Sequence, residues 1–181
     1  AAGEISHLSR MASPDVAVII CIADSHAGFF ESLANIAAAK AEIFDGMDKD
    51  GMAILNRDDS FFDDLAARAQ AAGISDIVTF GRDEDADFRL LEVEPAAAGQ
   101  MVDASLRGTA VRFALGMRNA HWAHNAMAVL AAVHALGFDP ADAMSHLHDF
   151  NDLPGRGAVL SGAFDARRIT LIDDSYNAGP R

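Results

Sequence analysis

Cysteine is nearly absent: Cys21 is the one thiol in 181 residues. That excludes a disulfide framework and any zinc site built from several cysteines. Positive charge is scarce, with 14 Lys and Arg against 27 Asp and Glu, a formal net charge of −13. A field of that sign repels nucleic-acid phosphates and anionic lipid headgroups, which argues against a general DNA, RNA or membrane-surface binder. Long apolar runs are missing too. None is longer than Val16 to Ala23, which falls far short of the ~20 residues a transmembrane helix needs. The start, Ala1-Ala-Gly-Glu4, shows no basic stretch leading into an apolar one, so no signal peptide is visible. It also lacks Met, and we therefore expect a piece of something longer. What is present suits a folded body: 51% hydrophobic residues and an ordinary 23% charged, against the composition of disordered chains.

The apolar pattern alternates between short runs and helical spacing. Val16–Ala23 reads as a strand buried on both faces, as in parallel α/β sheets. A helix over 31–44 follows, then strand 51–56, helix 60–72 with Ser60 as its cap and Gly73 past its end, and strand 76–81. That alternation predicts right-handed crossovers and a parallel sheet. The acidic stretch 82–87 reads as a solvated loop. Runs 88–94, 100–107 and 109–115 read as consecutive strands, antiparallel because their connections are too short for crossovers. Two helices follow, 119–136 and 140–150, the second capped by Asp139 with Pro140 at its first position. Strands 158–164 and 168–173 close the chain. The expected fold class is α/β: a mostly parallel sheet with flanking helices plus an antiparallel strand insert.

Four segments carry candidate chemistry. Ser25-His26 follows the first strand, and Lys40 sits in Ala39-Lys40-Ala41-Glu42-Ile43-Phe44. Alone, His26 is a loop histidine and Lys40 a helix-surface lysine, although strand C-terminal ends are where α/β sheets bind ligands. Asn56-Arg57-Asp58-Asp59 ends a strand, where Asn and Asp serve either as turn formers or as ligand contacts. Asn119-Ala-His121-Trp122-Ala-His124-Asn125 opens a helix. Asn125 both donates and accepts, so it suits a ligand's polar edge or the helix start. His121 reads equally as backbone-bonded or ligand-touching. The fourth segment pairs Gly155-Arg156-Gly157 with Asp173-Asp174-Ser175-Tyr176-Asn177-Ala178. His7, His124, His134, His146 and His148 read as surface or helix-packing residues, and Cys21 as a buried, inert thiol.

Together these segments resemble the Mur ligase family of cell-wall precursor synthesis, along essentially the whole chain. Within it they are most similar to the branch that joins D-alanyl-D-alanine to UDP-N-acetylmuramoyl-tripeptide. The resemblance implies ATP and Mg²⁺ as cofactors. It puts Lys40 and His26, 14 positions apart, near the γ-phosphate as metal ligands, with Lys40 carbamylated. A carbamate converts an amine into an oxygen donor, which hard Mg²⁺ prefers. It further implies that Asn125 and His121 lie by the adenine, and that Asn56 recurs at the nucleotide side. Arg156 would contact phosphate, a role its fork of donors suits. Asp174 would take the ribose hydroxyls with support from Asp173, and Tyr176 would line the junction to a following domain. The chain departs from the family's pattern at Asn119 and Trp122, where the family has Gly and Asn, and at Gly179.

No Gly-x-x-x-x-Gly-Lys-Ser/Thr phosphate loop occurs in the sequence, although the family needs its backbone donors. We therefore expect residues 1–178 to form a partial central ATP-binding domain and 179–181 to begin a junction. On its own such a chain should turn over little or nothing. The expected setting is cytoplasmic, with no nucleic acid or membrane partner. Two alternatives stand beside this reading. One is a sibling ligase, either another Mur ligase or a folylpolyglutamate synthase-like enzyme. The other is a non-catalytic α/β interaction module whose truncated sheet invites self-association.

Overall fold

The computed structural model describes residues 3–23, 32–155, 158–165, 167–173 and 175–176. The elements in order are α1 (Glu4–Ala12), β1 (Val16–Ile19), α2 (Leu33–Ala41), a 3-10 turn (Glu42–Gly46), β2 (Met52–Asn56), α3 (Phe62–Ala71) and β3 (Asp76–Gly81). Then come β4 (Phe88–Pro95), β5 (Gln100–Leu106), β6 (Thr109–Leu115), α4 (Ala120–Ala135), α5 (Pro140–His146), a 3-10 turn (Leu147–Asp149), β7 (Ala158–Phe164) and β8 (Arg167–Asp173). Among the described residues no helix is long and apolar enough to cross a membrane.

Strands β1 to β6 form one sheet in sequence order, and among the described residues β7 pairs only with β8. The first four strands are parallel, while β5 and β6 continue antiparallel. The antiparallel strands thus extend the main sheet. The six-residue link from β3 to β4 cannot carry a crossover helix, and the parallel overlap is only Phe80–Gly81 with Phe88–Arg89. A reciprocal side-chain pair secures that short overlap. Asp87 accepts from the N–H and hydroxyl of Thr79 at 2.9 and 2.8 Å, and the Thr79 oxygen accepts from the Asp87 N–H at 2.9 Å.

The period-2 alternation of strands sorts side chains into two cores. Ala53 and Leu55 join Ala17, Ile19, Ala37, Leu65 and Ile74 beneath α2 and α3. Ile54 joins Val78, Phe80, Phe88, Ala123, Met127 and Leu130 beneath α4. Each large side chain fully buried there contributes roughly 1.5–3 kcal/mol. The sheet is a middle layer covered on both faces, which explains its continuous apolar runs.

Three local expectations need correction. β1 ends at Ile19 rather than Ala23, because the next carbonyl, Ile20, accepts from the Asn56 amide at 2.9 Å instead of a strand. Cys21 lies past that end and is exposed, not buried. Ser60 does not cap α3: Phe61 stands at its N-cap with no side-chain capping bond, and Asp59 shapes the turn before it, its side chain accepting from Phe61 N–H and its carbonyl from Phe62 N–H, both at 2.9 Å. The α5 cap is as expected, with Asp139 accepting from Ala141 N–H at 2.9 Å.

Candidate functional site

The C-terminal ends of β1, β2 and β3 converge on one edge of the sheet, and Asn56-Arg57-Asp58-Asp59 ties them together. Asn56 is buried, donates to the Ile20 carbonyl and accepts from Asp58 N–H at 2.9 Å. Asp59 accepts from Ile22 N–H at 2.6 Å. Arg57 N–H donates to the Phe80 carbonyl at 2.8 Å. Asp58 accepts from the N–H groups of Arg82 and Asp83 at 2.8–2.9 Å. The turn-forming role of Asn56 is therefore filled, and its amide already serves both partners. The acidic loop is less free than a solvated run: Asp83 and Asp85 each lie 3.8 Å from the Arg57 guanidinium.

Lys40 reaches the same place from α2, its ammonium donating to the Cys21 carbonyl at 2.7 Å. It lies at the lip of a hollow of about 260 Å³, with walls of Ile5, Val18, Ile19, Ile20 and Ile43. Its motif neighbour Glu42 faces away and caps α1, accepting from Gly3 and Ser6 N–H at 2.6 and 3.2 Å. His26, the expected companion of Lys40, lies outside the described residues. Among the described residues no group of three or more His, Cys, Asp or Glu could hold a metal ion. An ammonium is no metal ligand, so the Lys40 side suits a cation only if its amine carries an oxygen-bearing group.

The start of α4 holds the third segment. Buried Gln100 donates to the Met117 and Asn119 carbonyls at 2.7 and 3.1 Å, fixing where the helix begins. Asn125 and Trp122 line a cleft of about 150 Å³ with Leu115, Met117, Val129 and Phe150. One amide among apolar and aromatic walls suits a planar heteroaromatic ring, with the amide reading its polar edge. The Trp122 indole N–H is buried and finds no partner. His121 is exposed and stacks obliquely on Trp122, with ring centroids 4.8 Å apart.

The two halves of the fourth segment do meet. Gly155 N–H donates to Asp173 at 3.0 Å and Tyr176 N–H to the Gly155 carbonyl at 2.8 Å. Asp173 also accepts from the Ser175 hydroxyl at 2.6 Å. That hydroxyl first, and then the Ser175 and Gly155 N–H groups, hold the Asp173 carboxyl below its usual range. Tyr176 is exposed. Arg156 and Asp174 lie outside the described residues.

Sequence reasoning set His124 aside as a packing residue. The structure instead places its Nε2 3.2 Å from the Asp58 carboxylate, with its ring edge-on to Phe80 at 5.1 Å. The signal was a histidine directly beside Asn125, but only tertiary contact reveals its partner 66 positions away. His146 and His148 lean on Asp149 at 3.7 and 3.2 Å, all three exposed.

Comparison with known proteins identifies the family. The family model for the Mur ligase middle domain matches residues 1–133. The UDP-N-acetylmuramoyl-tripeptide–D-alanyl-D-alanine ligase of Bacillus subtilis is 33% identical over 180 residues, covering 99% of this chain and 37% of that protein. A crystal structure of MurF from Acinetobacter baumannii superposes with a TM-score of 0.86 at 28% identity, covering 98% of this chain and 37% of the other. MurF ligase from Thermotoga maritima in complex with ADP superposes with a TM-score of 0.81 at 25% identity, covering 98% and 39%. The chain thus spans less than two fifths of the relatives it matches. With the family model covering most of its length, the chain belongs to the Mur ligase middle-domain family.

Proposed function

We propose that this chain supplies the nucleotide-binding part of an ATP-dependent amide-bond ligase. The ligase would join D-alanyl-D-alanine to UDP-N-acetylmuramoyl-tripeptide in peptidoglycan precursor synthesis. The observation that carries the reading is a juxtaposition inside a Mur ligase middle domain: the apolar cleft holding Asn125 sits on the helix clasped to the strand ends that Lys40 and Asn56 reach. The ADP complex of the Thermotoga maritima ligase supports a nucleotide as ligand.

In this reading Asn125 reads the adenine edge, with Trp122 as the cleft wall and His121 beside it. Arg156 contacts phosphate, Asp174 accepts from the ribose hydroxyls, and Tyr176 faces the following domain. Lys40, carbamylated, and His26 hold Mg²⁺, which when bound neutralises charge on the transferring phosphoryl group. Asn56 acts behind them, fixing the segment that leads from β1 toward His26. The reaction transfers the γ-phosphoryl group of ATP to the tripeptide carboxylate with release of ADP, and the dipeptide amine then attacks the acyl carbon, expelling phosphate as the amide forms. The 181-residue chain lacks a phosphate loop, so by itself it binds ATP weakly and turns over little.

The test uses the whole protein that contains this chain. With ATP, Mg²⁺, UDP-N-acetylmuramoyl-tripeptide and D-alanyl-D-alanine, it should release phosphate and add the dipeptide mass to the nucleotide product. Turnover with a single amino acid or a folate in place of the dipeptide would reassign it to a sibling ligase. Robust Mg²⁺-dependent hydrolysis by the 181-residue chain alone would overturn the division of the site proposed above.

A further inference from the structure

We infer that Asp58 and His124 are positioning residues: their bond sets the rotation of α4 and thereby aims Asn125 and Trp122 into the cleft. The inference rests on the nucleotide reading above for its ligand, but its geometry stands apart from it. The Asp58 carboxylate is rigid. It accepts from the N–H groups of Arg82 and Asp83, and its own N–H donates to Asn56. A Cβ at Gly81, whose φ is +148°, would lie 2.6 Å from the Asp58 Oδ1, so the backbone closes round the carboxylate only because Gly81 has no side chain. His124 meets this fixed anion at 3.2 Å while its ring packs on fully buried Phe80.

Elsewhere α4 packs on the sheet through Met127 and Leu130, both fully buried, and otherwise through alanine, with Ala123, Ala126, Ala128 and Ala131 all buried. Small side chains make shallow ridges for interlocking, and Met127 and Leu130 lie C-terminal to the cleft-facing Trp122 and Asn125, so the first turns have the Asp58–His124 bond as their directional contact. Its N-cap, Asn119, makes no side-chain capping bond. Successive helix residues point about 100° apart. Fixing His124 therefore fixes the direction of Asn125, and with it the stripe Trp122, Asn125 and Val129 that faces the cleft. Bonds to a charged partner are the stronger and more directional kind. Asp58–His124 is such a bond, and it links α4 directly to the ends of β2 and β3.

Trp122 is the only tryptophan in the chain and lies in that cleft, so its emission reports the orientation of α4. The experiment compares the 181-residue chain with His124→Phe, His124→Gln and Asp58→Asn. Two readouts are used: acrylamide quenching of Trp122, and binding of ADP by calorimetry. His124→Phe keeps a ring on Phe80 but loses the bond. It should fold, raise Trp122 quenching by about twofold or more, and weaken ADP binding by about tenfold, a factor worth about 1.4 kcal/mol. His124→Gln, which restores a donor near the Nε2 position, should return both readouts toward wild type, as a merely structural ring would not. Asp58→Asn should follow His124→Phe, and it decides the matter if His124→Phe does not fold. Quenching unchanged in His124→Phe and Asp58→Asn overturns the inference, as does equal ADP binding by wild type and both variants. If the 181-residue wild type binds no ADP while quenching responds as stated, the positioning role stands; absence of ADP binding by the whole protein that contains this chain as well would make the nucleotide reading fail.

Discussion

At Asp173 the local chemistry of the last motif is visible in a single group. The Ser175 hydroxyl and N–H, together with the Gly155 N–H, stabilise its ionised form and hold its carboxyl below the usual range. A folded pKa lower than the unfolded one adds stability that is fully present above the ordinary carboxylate value, near pH 4. That stability is lost as the pH falls through the lower, folded value. Carbon-detected titration of the carboxyl groups should therefore show Asp173 ionised to lower pH than the other exposed aspartates. In Ser175→Ala the midpoint should rise part of the way back, because the hydroxyl is the largest stabilising contact and the backbone donors remain. An unmoved midpoint in that variant would refute the assignment. Asp173 thus spends its acceptors on holding the Gly155 turn and the Ser175 turn together.

At the scale of elements, α1 shows how a helix can be set by a residue far along the chain. Its N-cap is Gly3, which offers no side chain, and its first-turn donors are taken by Glu42. The Ser9 hydroxyl donates to the Ile43 carbonyl, and Gly46 lies against the Ser9 backbone so closely that a side chain there would collide with it. Removing the carboxylate in Glu42→Ala should cost about 1–2 kcal/mol in urea unfolding. Glu42→Gln, which keeps an acceptor but drops the charge, should cost less. Equal stability of all three proteins would show that the cap is incidental. This same helix escaped the sequence reading, because its docking partner sits 39 positions downstream. Period and punctuation located β2, β3 and β6, since strands covered on both faces write themselves as apolar runs. They overran β1, where Ile20–Ala23 stays apolar after the ladder has ended. At the site, the family resemblance singled out Lys40, Asn56 and Asn125, which lie at the strand ends and in the α4 cleft. It could not find the Asp58–His124 bond, since a histidine on an alanine-rich helix carries no mark of what faces it.

At the scale of the whole molecule, the six-stranded sheet and the β7–β8 hairpin differ in how they are supported. β2 and β3 have a neighbour on each side and a core on each face. β7 and β8 pair only with each other among the described residues. Leu160, Leu171 and Ile169 share one face of that hairpin, since Leu160 stands opposite Leu171 and Gly162 opposite Ile169. Ile172 lies on the other face, and all four are exposed. Two strands alone are marginal in water, and exposed apolar side chains add nothing to hold them. Amide exchange should separate the two parts. The amides of β2 and β3 should open only with global unfolding, while those inside the β7–β8 ladder should exchange on the order of a hundredfold or more faster through local opening. Equal protection would mean that the hairpin is anchored to the body as firmly as any central strand. The outcome bears on the site, because the Gly155–Asp173 contact joins the hairpin to the segment leading into Arg156. If the hairpin opens as expected, the Gly155–Asp173 contact opens with it. On the nucleotide reading proposed above, ADP added at saturation should then slow exchange in the first turns of α4 more than in β7 and β8.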